Sequence, residues 1–276
     1  MDVFSNLMVV GECLLDFRRT KAFQHAIKNV VTPGCTALDI GTGSGILAMM
    51  SARAGAKKVY AIDIAEDIVH FARKNVKQNG LENIVDVIHA DAKTLSTLPP
   101  VDVITMELMD TGMVGEQQAP VINALHAQKV IHPGTKIIPF RYQCVATLID
   151  YDFDFYGFHM PFVIQARNFG VRKKVKQYLS KRTVYADVNF YQPVETHVNA
   201  KMTLDIQNPG TCNALVLESK IHLTPTQSLW GTTDLNMPVI IPLNELQVNK
   251  SEKVELHIEY VMAEGFDKFT ASLKKC

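Results

Sequence analysis

Ten consecutive residues constrain this chain more than any others: Leu38-Asp39-Ile40-Gly41-Thr42-Gly43-Ser44-Gly45-Ile46-Leu47. An apolar, strand-like run enters three alternate glycines and leaves as a helical stretch. Glycine tolerates positive φ and lets backbone approach a ligand that a Cβ would hold away. The start of a helix adds unpaired N–H groups that favour polar or anionic ligands. Position 46 is Ile, where a dinucleotide-binding fingerprint needs glycine, so the loop is not that motif.

The surrounding rhythm fits a parallel sheet wound with helices. Short aliphatic runs at 36–40, 59–62, 84–88, 101–106 and 136–138 alternate with helical composition at 46–54, 66–78 and 117–130. Gly55 and Gly80 stand where helix ends want a positive φ. Residues 13–30 read as one or two amphipathic helices closed by Pro33-Gly34. Beyond Pro139 the rhythm changes to strand-like segments at 142–149, 184–191, 198–206, 214–223, 239–243 and 253–261, with near-perfect alternation over 254–260. The expected fold class is α/β: a Rossmann-like domain over 35–139, a helical segment over 1–34 before it, and a β-barrel or sandwich over 140–276 after it. Six basic residues between Arg172 and Arg182 read as a solvated helix face.

Charge and composition exclude several classes. With 28 basic and 28 acidic residues the chain has no net charge, which argues against a nucleic-acid partner. No apolar run approaches the ~20 residues that span a bilayer, and the first residues lack a basic opening, so no membrane partner and a cytoplasmic location are expected. The five cysteines are scattered, with no C-x-x-C pair, and read as reduced thiols. None of the nine histidines has a defensible metal-ligand spacing, so no metal is expected.

Two acids follow the glycine loop at matching strand ends. Asp63 lies 22 residues beyond Gly41, where an acceptor can take both hydroxyls of a ribose, and Asp91 ends the third strand. The G-x-G-x-G spacing after Asp39, with Asp63 and Asp91, resembles the class I S-adenosylmethionine-dependent methyltransferases. The resemblance implies that Asp39, Gly41, Gly43, Gly45, Asp63 and Asp91 serve that cofactor.

The acceptor is read from the end of the fourth strand, Thr105-Met106-Glu107-Leu108-Met109-Asp110-Thr111-Gly112-Met113-Val114-Gly115-Glu116. It lacks the D/N-P-P-Y/F motif that holds a nucleobase amine. Glu107 and Glu116, nine residues apart and joined through Gly112 and Gly115, can converge on one cation. A guanidinium suits such a pair, because two carboxylates fix its geometry and draw charge from the attacking nitrogen. On this loop alone, two unrelated glutamates explain the sequence equally well.

The stretch 38–58, together with the nine-residue glutamate spacing, closely resembles the protein arginine methyltransferases. The resemblance runs from about Leu14 to Phe140 and weakly through the β half. It implies Arg19 as the partner of the cofactor's carboxylate, Asp63 in place of a ribose-binding glutamate, and Glu107 and Glu116 as the substrate-binding pair. It also implies that the helical segment over 1–34 folds over the cofactor, a cis Ile138-Pro139 bond, and a homodimer formed through a reduced arm near 151–182. Implied substrates are arginine in a protein or peptide, or a small guanidine such as free arginine; a cofactor-binding pseudoenzyme is the non-enzymatic alternative. Departures cluster around the acceptor. Only Phe4 stands near the family's N-terminal aromatic segment. Leu108-Met109-Asp110 replaces Trp-Met-Gly, adding a third acid, and Ser228-Leu229-Trp230 is the nearest counterpart of the threonine-histidine-tryptophan loop. Asp110 and Trp230 are therefore expected at the substrate pocket.

Overall fold

The computed structural model describes residues 6–95, 98–165, 171–231 and 236–276. Phe4 lies outside them. Two helices open the chain, α1 (Leu7–Leu15) and α2 (Phe17–Val30), capped by the side chains of Asn6 and Asp16. Next come β1 (Thr36–Ile40), α3 (Ile46–Arg53), β2 (Lys58–Asp63), α4 (Glu66–Gln78), β3 (Val85–His89), β4 (Val103–Met106), α5 (Gln118–Ala127) and β5 (Lys136–Ile138). The five strands form one parallel sheet in the order β3-β2-β1-β4-β5. β1 and β4 are covered on both faces, which explains why they read as continuous apolar runs and not as alternation. Helix α4 buries Ile68, Val69, Ala72 and Val76, one stripe at helical spacing. The strand order reverses between β1 and β4, and α/β sheets bind ligands in the crevice at the carboxyl ends of strands at such a point.

The peptide bond Ile138-Pro139 is cis, as expected, and it leads directly into the second half. There, β6 (Arg141–Tyr151) is followed by the short strands β7 (Asp154–Phe155), β8 (Phe158–His159) and β9 (Ile164–Gln165), then β10 (Val175–Tyr178), β11 (Thr183–Asn189) and β12 (His197–Asp205). β13 (Gly210–Thr224), β14 (Gln227–Trp230), β15 (Val239–Val248), β16 (Lys253–Val261) and β17 (Thr270–Lys275) complete the chain. One sheet runs β10-β6-β13-β15-β9, with β11 on β6 and β14 on β13; a second runs β12-β16-β17. The alternation at 254–260 is β16, burying Val254, Leu256, Ile258 and Tyr260. A continuous apolar core runs from Phe23 and Leu38 through Met106 to Tyr142, Leu217 and Leu256, so the two halves are packed as one body.

The basic run is not a helix face. It is a single 3-10 turn, Val171–Lys174, followed by β10 paired with β6. The alternation of 175–178 and the burial of Leu179 favour extended backbone over a helix. Two of its charges are paired: Lys174 Nζ meets Asp152 at 3.1 Å, and Arg182 forms a two-pronged contact with Glu218 at 2.7 and 3.0 Å. Among the described residues no helix is long and apolar enough to cross a membrane.

Candidate active site

A cavity of about 410 Å³ opens at the carboxyl ends of β1, β2, β3 and β4. Its wall brings together Arg19, Gly41, Gly43, Asp63, Asp91, Glu107 and Glu116, seven residues singled out from the sequence and drawn from six separate segments. Val9, Val10 and Cys13 of α1 close one side. The resemblance implied a helical segment here over the cofactor, but sequence reasoning did not single out these three side chains, because α1 lacks the expected aromatic residues. It also missed Lys93 and Gln117, which complete the wall and lie within 3.4 Å of each other, Nζ to Oε1.

The glycine loop is built by local bonds. Gly41, Gly43 and Gly45 have φ of 64°, 53° and 83°, a region that side chains resist. A Cβ at Gly41 would overlap the Leu108 side chain. The Gly43 N–H donates to Asp63 Oδ2 at 3.0 Å, and the Ala65 N–H donates to Oδ1 at 3.1 Å. Asp63 therefore shapes the loop and keeps lone pairs toward the cavity. Asp91 starts a 3-10 turn and accepts from the Lys93 N–H at 2.9 Å.

Four candidate residues stand away from the cavity wall. Asp39 is 1% exposed, and its two oxygens accept from the Thr42 and Thr105 hydroxyls, both at 2.6 Å. Burial pushes its carboxyl up to about 6. Gly45 starts α3 and faces Ala72 and Val76 of α4. Both brace the loop from behind. Trp230 lies on β14, 41% exposed, beneath the Arg182 guanidinium at 4.8 Å. Asp110 is buried inside the hairpin between the glutamates, accepting from the Gly115 N–H at 2.8 Å and the Glu116 N–H at 3.3 Å.

Glu107 and Arg19 meet at the centre. Arg19 Nη1 donates to Glu107 Oε2, and Nη2 donates to the Cys13 carbonyl at 2.8 Å. The side chains are 12% and 15% exposed, so the pair is largely shielded from water. Burial pushes the Glu107 carboxyl up, and the Arg19 guanidinium opposes that shift. Burial works most strongly against the Arg19 charge, yet Glu107, Cys13 and Asp16 together outweigh it and hold the guanidinium above its ordinary range. The Cys13 thiol beside them is pushed up to about 11 by burial, which removes it as a nucleophile near neutral pH. Among the described residues no group of three or more His, Cys, Asp or Glu is arranged to hold a metal ion.

Residues 18–116 match the family described as ribosomal protein L11 methyltransferase. The chain is 30% identical over 251 residues to an uncharacterized protein of Methanocaldococcus jannaschii, covering 90% of this chain and 89% of that one. It is 36% identical over 153 residues to protein arginine N-methyltransferase 2 of Dictyostelium discoideum, covering 54% of this chain but only 29% of that relative's length. Its fold is similar to that of the Trypanosoma brucei PRMT1 enzyme-prozyme heterotetrameric complex with AdoHcy, at a TM-score of 0.78 and 17% identity, covering 99% of this chain and 98% of that one.

Proposed function

The chain belongs to the protein arginine N-methyltransferase family of class I methyltransferases, and on that premise we propose that it methylates a guanidinium nitrogen of arginine in a protein or peptide. The single observation that supports this acceptor most is the Arg19–Glu107 contact: the shielded carboxylate at the cavity centre already accepts a guanidinium, the chain's own. Glu116 lines the same cavity, so two carboxylates face one acceptor. An arginine side chain held between them is oriented and has its charge drawn toward the oxygens, freeing one nitrogen as nucleophile. The carboxylates are also the groups placed to receive its proton.

The cofactor is S-adenosylmethionine, and the residues present fit it. A cavity of about 410 Å³ falls in the range of ~300–1,000 Å³ usual for small-molecule sites. A Cβ at Gly41 would run into Leu108 and one at Gly43 would touch Val10, both in the cavity wall, so the wall keeps this shape with glycine at both positions. When bound, the cofactor supplies an electrophilic methyl group on a sulfonium. Gly41 and Gly43 would hold it with backbone, Asp63 and Asp91 with carboxylate acceptors, and Arg19 with its guanidinium.

A mass-spectrometric screen with isotopically labelled cofactor, comparing arginine-containing peptides with free arginine, tests the reading. Label on peptide arginine is the expected result. Label on free arginine alone moves the acceptor to the small-guanidine class, and tight cofactor binding with no turnover on any guanidine marks a pseudoenzyme.

We also read the β7–β8 hairpin as a contact surface for a second copy. Tyr156 in its turn is 98% exposed, Phe158 on β8 69% and Phe162 shortly after it 64%, apolar side chains that water disfavours. Light scattering should give twice the chain mass of 30.8 kDa, falling to one chain when Tyr156 and Phe158 are both replaced by Ser. A monomeric parent protein would sink this reading.

A further inference from the structure

The loop between Glu107 and Glu116 is closed by a side chain that does not line the cavity. Asp110 bridges it internally: Oδ2 takes the Gly115 N–H at 2.8 Å and Oδ1 the Glu116 N–H at 3.3 Å. The Asp110 carbonyl accepts from the Met113 N–H at 3.0 Å and from the Tyr142 hydroxyl at 2.7 Å. Tyr142 on β6 is in turn hydrogen-bonded to Ser219 of β13, and it accepts from Asn236 Nδ2 at 3.1 Å. Tyr260 on β16 donates to the Gly112 carbonyl at 2.7 Å. Behind these, the Leu108 N–H donates to Gln118 Oε1 at 2.9 Å and the Gln118 N–H to the Leu108 carbonyl at 3.1 Å.

We infer that Asp110 is a positioning residue: by accepting the Gly115 and Glu116 amides while the barrel holds its own carbonyl, it sets where Glu116 stands relative to Glu107, and so how the acceptor is held. The inference rests on the guanidinium reading above. Two glycines leave the loop conformationally free, so placing Glu116 needs bonds from elsewhere. A carboxylate suits this task, because both partners are N–H donors and it offers an acceptor oxygen to each, whereas a carboxamide offers one oxygen and one NH₂.

Geometry and charge agree on how the clasp responds to pH. Burial pushes the Asp110 carboxyl up to about 6, although the amide bonds oppose that shift. The titratable groups around it are Tyr142 and Cys144 from β6, which feel its charge, Glu116, bonded to it through the backbone N–H, and Tyr185 of β11 and Tyr260 of β16 at the neighbouring Gly112. Burial pushes the three tyrosines and the cysteine upward, so none of these carries charge near neutral pH. No cation stands among these facing groups to keep Asp110 ionised as pH falls.

The test compares Asp110→Asn and Asp110→Ala in the full chain, using an arginine-containing peptide and free arginine as acceptors. On whichever acceptor the parent enzyme turns over, kcat/KM should fall about tenfold for Asn, which keeps one acceptor oxygen, and about a hundredfold for Ala, which keeps none. The cofactor Kd, read by calorimetry, should change less than twofold in both. Hydrogen exchange supplies a readout that general destabilisation would not reproduce: protection of the Gly115 and Glu116 amides falls in step with kcat/KM while β1 amides keep theirs. If neither variant folds, exchange on the parent protein decides, with protection factors at those two amides dropping selectively below about pH 6. Unchanged protection and unchanged kcat/KM in an active protein overturn the positioning role alone. A parent protein that turns over neither guanidine overturns the functional reading, and the inference with it.

Discussion

Glu107→Gln lowers kcat for arginine methylation by about a thousandfold and leaves S-adenosylmethionine affinity within twofold of the parent. The side chains have the same shape, so the change removes charge with little loss of packing. A carboxamide turns its NH₂ toward the donors of a guanidinium, where the carboxylate offered only acceptors. Glu107 is also the partner that holds the Arg19 guanidinium, so a modest loss of thermal stability accompanies the lost turnover. Single-turnover kinetics and calorimetric titration of the cofactor separate the two effects. Full activity, or cofactor binding lost together with turnover, would remove Glu107 from the acceptor role.

Gly41→Ala weakens cofactor binding about a hundredfold, and the reason is contact more than backbone strain. A side chain at positive φ costs ~1–2 kcal/mol, and Gly41 has φ of 64°. Its new methyl would also overlap Leu108, the neighbour of Glu107, in the cavity wall. Gly80→Ala is the matched control. Gly80 has nearly the same φ, 66°, but a Cβ there meets nothing within 4 Å. The control should lose stability of the same order and keep its cofactor Kd. Equal effects of the two substitutions on cofactor binding would show that the wall around Gly41 is not the binding surface.

The parallel half was legible because its signals are local. A strand, a glycine turn and an acid at the next strand end follow from chain geometry, and they place Gly41, Asp63 and Asp91 on one wall. The spacing of Glu107 and Glu116 alone left two unrelated glutamates equally open; the resemblance paired them, and both line one cavity. Side-chain direction was not legible. Asp39 belongs to a strand covered on both faces and turns into the core toward Thr42 and Thr105. Asp110 was visible as a third acid, but its inward turn depends on Gly115 and on barrel residues more than thirty positions away. Trp230 was read from its likeness to the threonine-histidine-tryptophan loop, whereas its surroundings, Arg182 and Lys220, come from elsewhere in the barrel. The basic run failed as a helix because pairing with β6, a tertiary event, decides its backbone.

The bonds that build the cavity divide by source. Those shaping the glycine loop, from Asp39, Asp63 and Asn75, begin and end within the parallel half. Those shaping the acidic hairpin reach into the barrel, to Tyr142, Ser219, Asn236 and Tyr260. The chain is therefore modular in the evolutionary sense. Substitutions that repack the barrel can reshape the acidic hairpin while the bonds of the glycine loop stay in place.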